Sequence, residues 1–165
     1  MTKDAYGREG KRPGWDEYFM SMAHAVKTRT NCSSPAKGAL LVRNKQIIST
    51  GYNGTPKGIK NCIDGGCERC KDARAGKVKS GEQLDRCVCS HAEENAILQA
   101  ALHGIATEGS TMYTTFRPCT TCSKMIINAG IVRVVAQEDY PHELGIELMK
   151  QAGIILEKYK GDVDA

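Results

Sequence analysis

The sequence predicts an α/β fold in three layers, a mixed sheet of about five strands between helices on both faces. Three observations carry this. Residues 38–42 and 46–52 are rich in Leu, Val and Ile and are split by Arg43-Asn44-Lys45, which reads as an antiparallel hairpin. Residues 111–115 and 131–136 are apolar runs separated by a helical stretch, a β-α-β unit whose two strands run parallel. Helical periodicity marks the segments before, between and after them.

Taken in order, residues 1–14 are polar and carry Gly7, Gly10, Pro13 and Gly14, a lead-in without periodic structure. From Trp15 to about Arg29 the spacing of Trp15, Phe19, Met22 and Val26, with Tyr18 and Ala25 beside them, predicts an amphipathic helix packed on the core. Asn31-Cys32-Ser33-Ser34-Pro35 ends it. The hairpin runs into Gly51-Tyr52-Asn53-Gly54-Thr55-Pro56, a turn-forming loop whose amide and hydroxyl can line a pocket. Residues 95–102 form a helix that is apolar around most of its girth, which predicts burial. Pro118 opens the next helix, from Cys119 to about Asn128, at the position where proline is tolerated. Residues 142–151 give a further helix and 154–158 a last strand, with Gly104 and Gly130 as helix stops. There is no internal repeat, low-complexity run or interdomain linker, so residues 1–165 read as one domain.

Composition narrows the function. A chain that is 41% hydrophobic and 25% charged is ordinary for a soluble globular protein. The net charge of +4 helps attract an anionic small molecule. With no dense basic run, two Phe and one Trp, a nucleic-acid groove is not expected. No apolar run approaches a membrane span and the first residues lack a signal-peptide core, so the expectation is a cytoplasmic protein without a membrane partner. In a reducing compartment the eight cysteines read as metal ligands rather than disulfides.

Two stretches carry chemistry. Cys89-Ser90-His91-Ala92-Glu93-Glu94-Asn95-Ala96 supplies His-x-Glu, and Arg117-Pro118-Cys119-Thr120-Thr121-Cys122 supplies Pro-Cys-x-x-Cys. That ordered pair is the known signature of zinc-dependent nucleobase deaminases. His91, Cys119 and Cys122 leave a zinc ion its fourth position open, as catalysis requires and a structural site does not. Both cysteines fall in the first turn of a helix, where backbone N–H groups favour thiolate. Glu93, two residues from His91, faces another direction on a helix, so it reaches the metal's water rather than acting as a ligand. A structural zinc with Glu93 as incidental charge is the bland alternative, and the ordered motifs outweigh it.

Residues 57–90 combine glycine, charge and cysteine with little apolar periodicity, and so long a loop calls for a staple. Cys67-x-x-Cys70 with Cys87-x-Cys89 is metal-ligand spacing, and at least one structural zinc would replace the missing core. Cys32 and Cys62 can join the same site or a neighbouring one, and six thiols can also share two ions.

The stretches Arg12-Pro13-Gly14-Trp15-Asp16-Glu17-Tyr18-Phe19-Met20, Gly51-Tyr52-Asn53-Gly54-Thr55-Pro56, His91-Ala92-Glu93-Glu94-Asn95-Ala96 and Met125-Ile126-Ile127-Asn128-Ala129-Gly130-Ile131 together resemble the deoxycytidylate deaminases. The resemblance spans about residues 12–159. It implies a cytidine-deaminase-like fold and hydrolysis of dCMP to dUMP, the precursor for dTMP synthesis. It implies Zn2+ on His91, Cys119 and Cys122, activating water, with Glu93 shuttling the proton to base N3 and the leaving amine. Asn53 would hold the deoxyribose, the backbone of Ala92 would meet the pyrimidine edge, and Tyr140 would contact the phosphate. Many relatives carry Arg or Lys where this chain has Ser34, which leaves Ser34 and Lys37 as further phosphate candidates. Relatives without Cys70 and Cys89 suggest Cys32, Cys62, Cys67 and Cys87 as a structural zinc set. Family members are commonly hexamers, activated by dCTP with Mg2+ and inhibited by dTTP, and the loop around Gly54 and Gly58 lies where such effectors bind. The rival readings are a superfamily deaminase for 5-substituted dCMP, cytidine or tRNA adenosine, and a non-catalytic zinc-scaffold binding module. The mild charge argues against the tRNA reading and the intact Glu93 against the scaffold.

Overall fold

Successive side chains of a strand point to opposite faces, and in β1 (Gly38–Arg43) both faces are apolar and buried. Such a strand belongs in the middle of a sheet covered on both sides. The computed structural model, which describes residues 12–79, 81–138 and 143–161, places it there. The other strands are β2 (Gln46–Tyr52), β3 (Thr111–Phe116), β4 (Arg133–Glu138) and β5 (Ile155–Lys158), in the order β2-β1-β3-β4-β5. β1 pairs antiparallel with both β2 and β3, while β3–β4 and β4–β5 are parallel. The expected hairpin and β-α-β unit are both present.

The helices are α1 (Trp15–Lys27), α2 (Glu68–Arg74), α3 (Ala92–Leu102), α4 (Thr120–Asn128) and α5 (Glu143–Gln151). Leu40, Val42, Tyr113 and Val135 form one core with Phe19, Met20 and Ala23 of α1. Ala39, Leu41, Met112 and Val134 form the other with Ala96 and Ala100 of α3, Ile126 of α4 and Met149 of α5. The sheet is therefore the middle of three layers, as expected. Among the described residues no helix is long and apolar enough to cross a membrane.

Four details correct the sequence reading. α1 buries Phe19, Met20, Ala23 and His24, whereas Trp15 is 45% and Tyr18 41% exposed and Ala25 is exposed. The buried stripe is thus rotated toward Met20, because Asp16 must face the sheet. Arg133 reaches both oxygens of Asp16 at 2.7 and 2.9 Å, Tyr113 donates to Asp16 at 2.6 Å, and Glu157 takes the remaining side of Arg133. α3 is buried on one face only, with Leu98 52% and Leu102 75% exposed, since a helix on a sheet is covered from one side. Pro118 precedes α4 rather than opening it, and Cys119 is the N-cap. Residues 57–90 are not all loop: α2 and two single 3-10 turns, Cys62–Asp64 and Leu84–Arg86, lie within them. The expected helix over 142–151 is present from Glu143, and His142 lies outside the described residues. Gly104 and Gly130 follow α3 and α4 with φ of 65° and 69°, the left-handed stop expected of them.

Candidate active site

The site is built where two helices begin against the sheet. His91 caps α3 in an extended conformation, and its backbone N–H donates to the carboxylate of Glu94 at 2.6 Å. That reciprocal cap fixes the chain direction entering the helix. Glu93 follows in the first turn, 5% exposed, with Oε1 accepting a 2.7 Å hydrogen bond from the Thr114 hydroxyl of β3. Thr114 in turn accepts from the backbone N–H of Phe116 at 3.4 Å. Gly51 lets β2 come this close: a Cβ there would meet the Ala92 oxygen at 2.2 Å and the Ala96 nitrogen at 2.3 Å. An isolated bridge between Gly54 and Ser90, with N–H···O distances of 3.1 and 2.8 Å, holds the strand end leading into His91.

α4 supplies the thiols. Cys119 is its cap and Cys122, fully buried, sits in its first turn. His91 Nδ1 lies 3.4 Å from each sulfur. The donor set fits zinc: Zn–S of about 2.3 Å and Zn–N of about 2.0 Å put tetrahedral neighbours roughly 3.5 Å apart. Three donors lie within reach of one ion, and a fourth ligand position is left over. The Cys122 thiol and the His91 ring beside it hold Cys119 far below the usual thiol range, at about 3. The same Cys119 raises His91 to about 9, so the pair attract as thiolate and imidazolium. Metal uptake must displace that proton. Glu93 moves the other way for its class: burial pushes its carboxyl up, partly opposed by the Thr114 hydrogen bond.

His91, Glu93 and Cys119 open onto a cleft of about 340 Å³ that also takes in Asn53, Lys37, Ser34, Phe116, Arg117 and Arg69. Asn53 is buried, its Oδ1 accepting from the Lys37 N–H at 2.7 Å and the Thr30 hydroxyl at 2.9 Å, its Nδ2 donating to the Pro35 carbonyl at 3.1 Å. Among the described residues that leaves it one amide proton for a ligand. Lys37 Nζ lies 3.3 Å from Glu138 and 3.6 Å from the Phe116 ring centroid. The Ser34 hydroxyl lies 3.6 Å from Cys70, so it faces the second thiol cluster. Ala92 is fully buried at the cleft wall. Gly54 packs against Asn31, where a Cβ would meet its side chain at 2.3 Å, while Gly58 is exposed with φ of 85°. Tyr140 lies outside the described residues.

The remaining six cysteines gather beside the cleft. Their sulfurs form two overlapping groups, Cys32, Cys62, Cys70, Cys89 and Cys67, Cys70, Cys87, Cys89, each within 4.8 Å throughout. The second is the set read from spacing; Cys32, Cys62, Cys67 and Cys87 do not form such a group. Phe116, Arg117 and Arg69 of the cleft, and the buried Thr114 behind Glu93, are site residues that sequence reasoning missed. The signal for Thr114 was a polar residue at a core-facing position of an apolar strand.

Fold and site together define a three-layer α/β/α protein with a His-Cys-Cys donor trio on two helix starts and a buried carboxyl beside it. A family model of the cytidine and deoxycytidylate deaminase zinc-binding region matches residues 13–138, and the chain belongs to that family. Deoxycytidylate deaminases of Schizosaccharomyces pombe and Saccharomyces cerevisiae are 42% and 40% identical to it over 149 residues, 90% of this chain. Those residues make up 45% and 46% of the two yeast proteins, so the chain spans about half their length. The crystal structure of dCMP deaminase from the cyanophage S-TIM5 in complex with dCMP and dUMP superposes with a TM-score of 0.73 at 32% identity. It covers 91% of this chain and 100% of that one. The resemblance read from the sequence motifs is borne out.

Proposed function

We propose that this chain is a zinc-dependent dCMP deaminase, a single catalytic domain over residues 1–165 in which water replaces the exocyclic amine to give dUMP and ammonia. The observation that carries the reading is the trio of His91, Cys119 and Cys122, whose donor atoms lie within 4.8 Å of one another, with His91 and Cys119 lining the same cleft as the buried Glu93. The yeast relatives and the cyanophage complex with dCMP and dUMP support the choice of substrate.

Zinc bound by the trio would supply Lewis acidity, bringing the pKa of a water toward neutrality. Glu93 does the proton work. Burial raises its proton affinity, so it can take a proton from the attacking water and pass it to base N3, then take the remaining proton of the added C4 hydroxyl and deliver it to the amine, which departs as ammonia. Thr114 holds the carboxylate in one orientation throughout. The free amide proton of Asn53 is directed to the deoxyribose, and the Ala92 backbone to the pyrimidine edge. The phosphate is assigned to Tyr140, Lys37 and the backbone around Ser34, with Lys37 leaving Glu138 to reach it. Cytoplasmic location, hexameric assembly and control by dTTP or by dCTP with Mg2+ near Gly54 and Gly58 complete the proposal, on family resemblance alone.

The test is ammonia release from dCMP, deoxycytidine, CMP and dCTP by the pure protein. The expected result is strong preference for dCMP over the other three. Equal efficiency on deoxycytidine and dCMP, or no turnover of either, overturns the nucleotide reading.

A further inference from the structure

The largest group of metal-ligating side chains outside the His91 centre is the six-cysteine cluster, and its two four-sulfur groups have Cys70 and Cys89 in common. Two tetrahedra with two common corners share an edge. We propose that the six thiolates hold a binuclear zinc cluster, with Cys70 and Cys89 bridging both ions, Cys32 and Cys62 terminal on one, and Cys67 and Cys87 terminal on the other. This deepens the structural-zinc expectation drawn from the spacing of Cys67, Cys70, Cys87 and Cys89 and does not depend on deamination.

The distances favour metal over sulfur–sulfur bonds. Cys32 and Cys70 sulfurs are 3.9 Å apart and Cys70 and Cys87 sulfurs 3.8 Å. A disulfide needs about 2.05 Å. The edge of a tetrahedron with Zn–S of about 2.3 Å is roughly 3.8 Å. A single ion would use four thiols and leave two more packed against it without a ligand. Two ions use all six, because a thiolate sulfur has lone pairs enough to bridge.

The backbone hydrogen bonds sort the same way, while the Ser34 hydroxyl also lies 3.6 Å from the bridging Cys70. Ser33 N–H points at Cys62 at 3.3 Å, Ser34 N–H at Cys32 at 3.5 Å, and Val88 N–H at Cys67 at 3.4 Å. Each of these donors goes to a sulfur assigned as terminal. A terminal thiolate keeps more of its negative charge than one shared by two cations, so it gains more from such a donor. Six thiols give up six protons and two Zn2+ enter, leaving a net charge of two minus that these N–H groups help offset. The placement also has a consequence for the cleft. Cys32, Cys87 and Cys89 line it, and Cys89 is followed by Ser90 and His91, so the cluster forms one wall of the active site.

The test is metal content and cadmium NMR on the full chain purified under reducing conditions. Elemental analysis is expected to give three zinc ions per chain, one for the His91 centre and two for the cluster. Exchange with 113Cd is expected to give two resonances split by mutual scalar coupling through the shared sulfurs, and a third that is unsplit. Two zinc ions per chain, with two of the six cysteines alkylated in the folded protein, overturns the proposal. So does the absence of 113Cd–113Cd coupling, or iron with visible charge-transfer absorption in place of zinc. None of these readouts requires turnover, so failure here and failure of the deaminase reading are distinguishable.

Discussion

The two sulfur-bearing centres meet at Cys89-Ser90-His91, yet they are built on opposite principles. His91, Cys119 and Cys122 sit on the first turns of α3 and α4, which the sheet and two apolar cores already hold in place. Cys32, Cys62, Cys67, Cys70, Cys87 and Cys89 come from loops, a 3-10 turn and the two-turn helix α2, and among the described residues the buried cluster there is made of the cysteines themselves. In the first region the fold positions the donors, so an ion there would be free to do chemistry. In the second the thiols have little else to fold around, so bound metal would serve as the core. The difference teaches why one site has three donors beside a buried carboxyl and the other is closed by sulfur on all sides.

The largest effect should come from the carboxyl of the open site. Glu93→Gln keeps the shape and removes the proton carrier, so turnover should fall by at least about 10²-fold, with metal content and melting temperature unchanged. A variant within a few-fold of wild type on dCMP would remove Glu93 from the chemistry. Cys67→Ser reverses the pattern, striking the closed site. Metal content should drop and the melting temperature fall by roughly 10 °C or more, because losing a structural metal belongs among the costliest single changes. A melting curve superposable on wild type would show that the insert does not depend on its thiols.

A subtler break lies between Thr114 and Glu93. Thr114→Val removes the donor that favours the ionised carboxylate, a hydrogen bond to charge worth about 1.5–3 kcal/mol. The expected result is a drop in kcat of about ten-fold or more, with the acid limb of the pH–rate profile moved to higher pH. The direction follows from the Thr114 hydrogen bond opposing the upward push of burial on Glu93. An unshifted limb would mean that Glu93 does not govern it.

The smallest effect is remote from both centres. The Arg133 hydrogen bonds hold the Asp16 carboxyl below its usual range. Its stabilisation is therefore full above the unfolded-state pKa of about 3.9 and is lost as pH falls through the lower folded value. Asp16→Asn should cost at most about 1 kcal/mol near neutrality, since the carboxylate is 43% exposed, and should flatten part of the acid limb of stability against pH. Thermal melts of both proteins between pH 2 and 7 read this directly; identical acid limbs would contradict it.

What the sequence made legible follows the same division. The open site was readable because its ligands sit in two short motifs, and the sheet because β1 through β4 have distinct apolar runs. The phase of α1 was not, since the ion pair between Asp16 and Arg133 is a contact across 117 residues that turns the helix face. Of the six thiols, the group of Cys67, Cys70, Cys87 and Cys89 was legible from spacing, but the joining of Cys32 and Cys62 to Cys70 and Cys89 was not. Spacing alone pairs neighbours, whereas Cys32 and Cys70 are brought together from 38 residues apart by the fold of the insert. Thr114 escaped because its role is to orient another residue, which leaves no motif of its own.

The division of labour between the two centres is tested most directly by stepwise removal of metal with a competing chelator. Ammonia release, bound zinc and the circular-dichroism melt are followed on the same samples. The ion at the open site, held by three protein ligands, should leave first, abolishing turnover while the melt stays in place, and added zinc should restore activity. The later ions should take the melt with them. Turnover and fold lost together with the first ion, or turnover that survives its removal, would contradict the division.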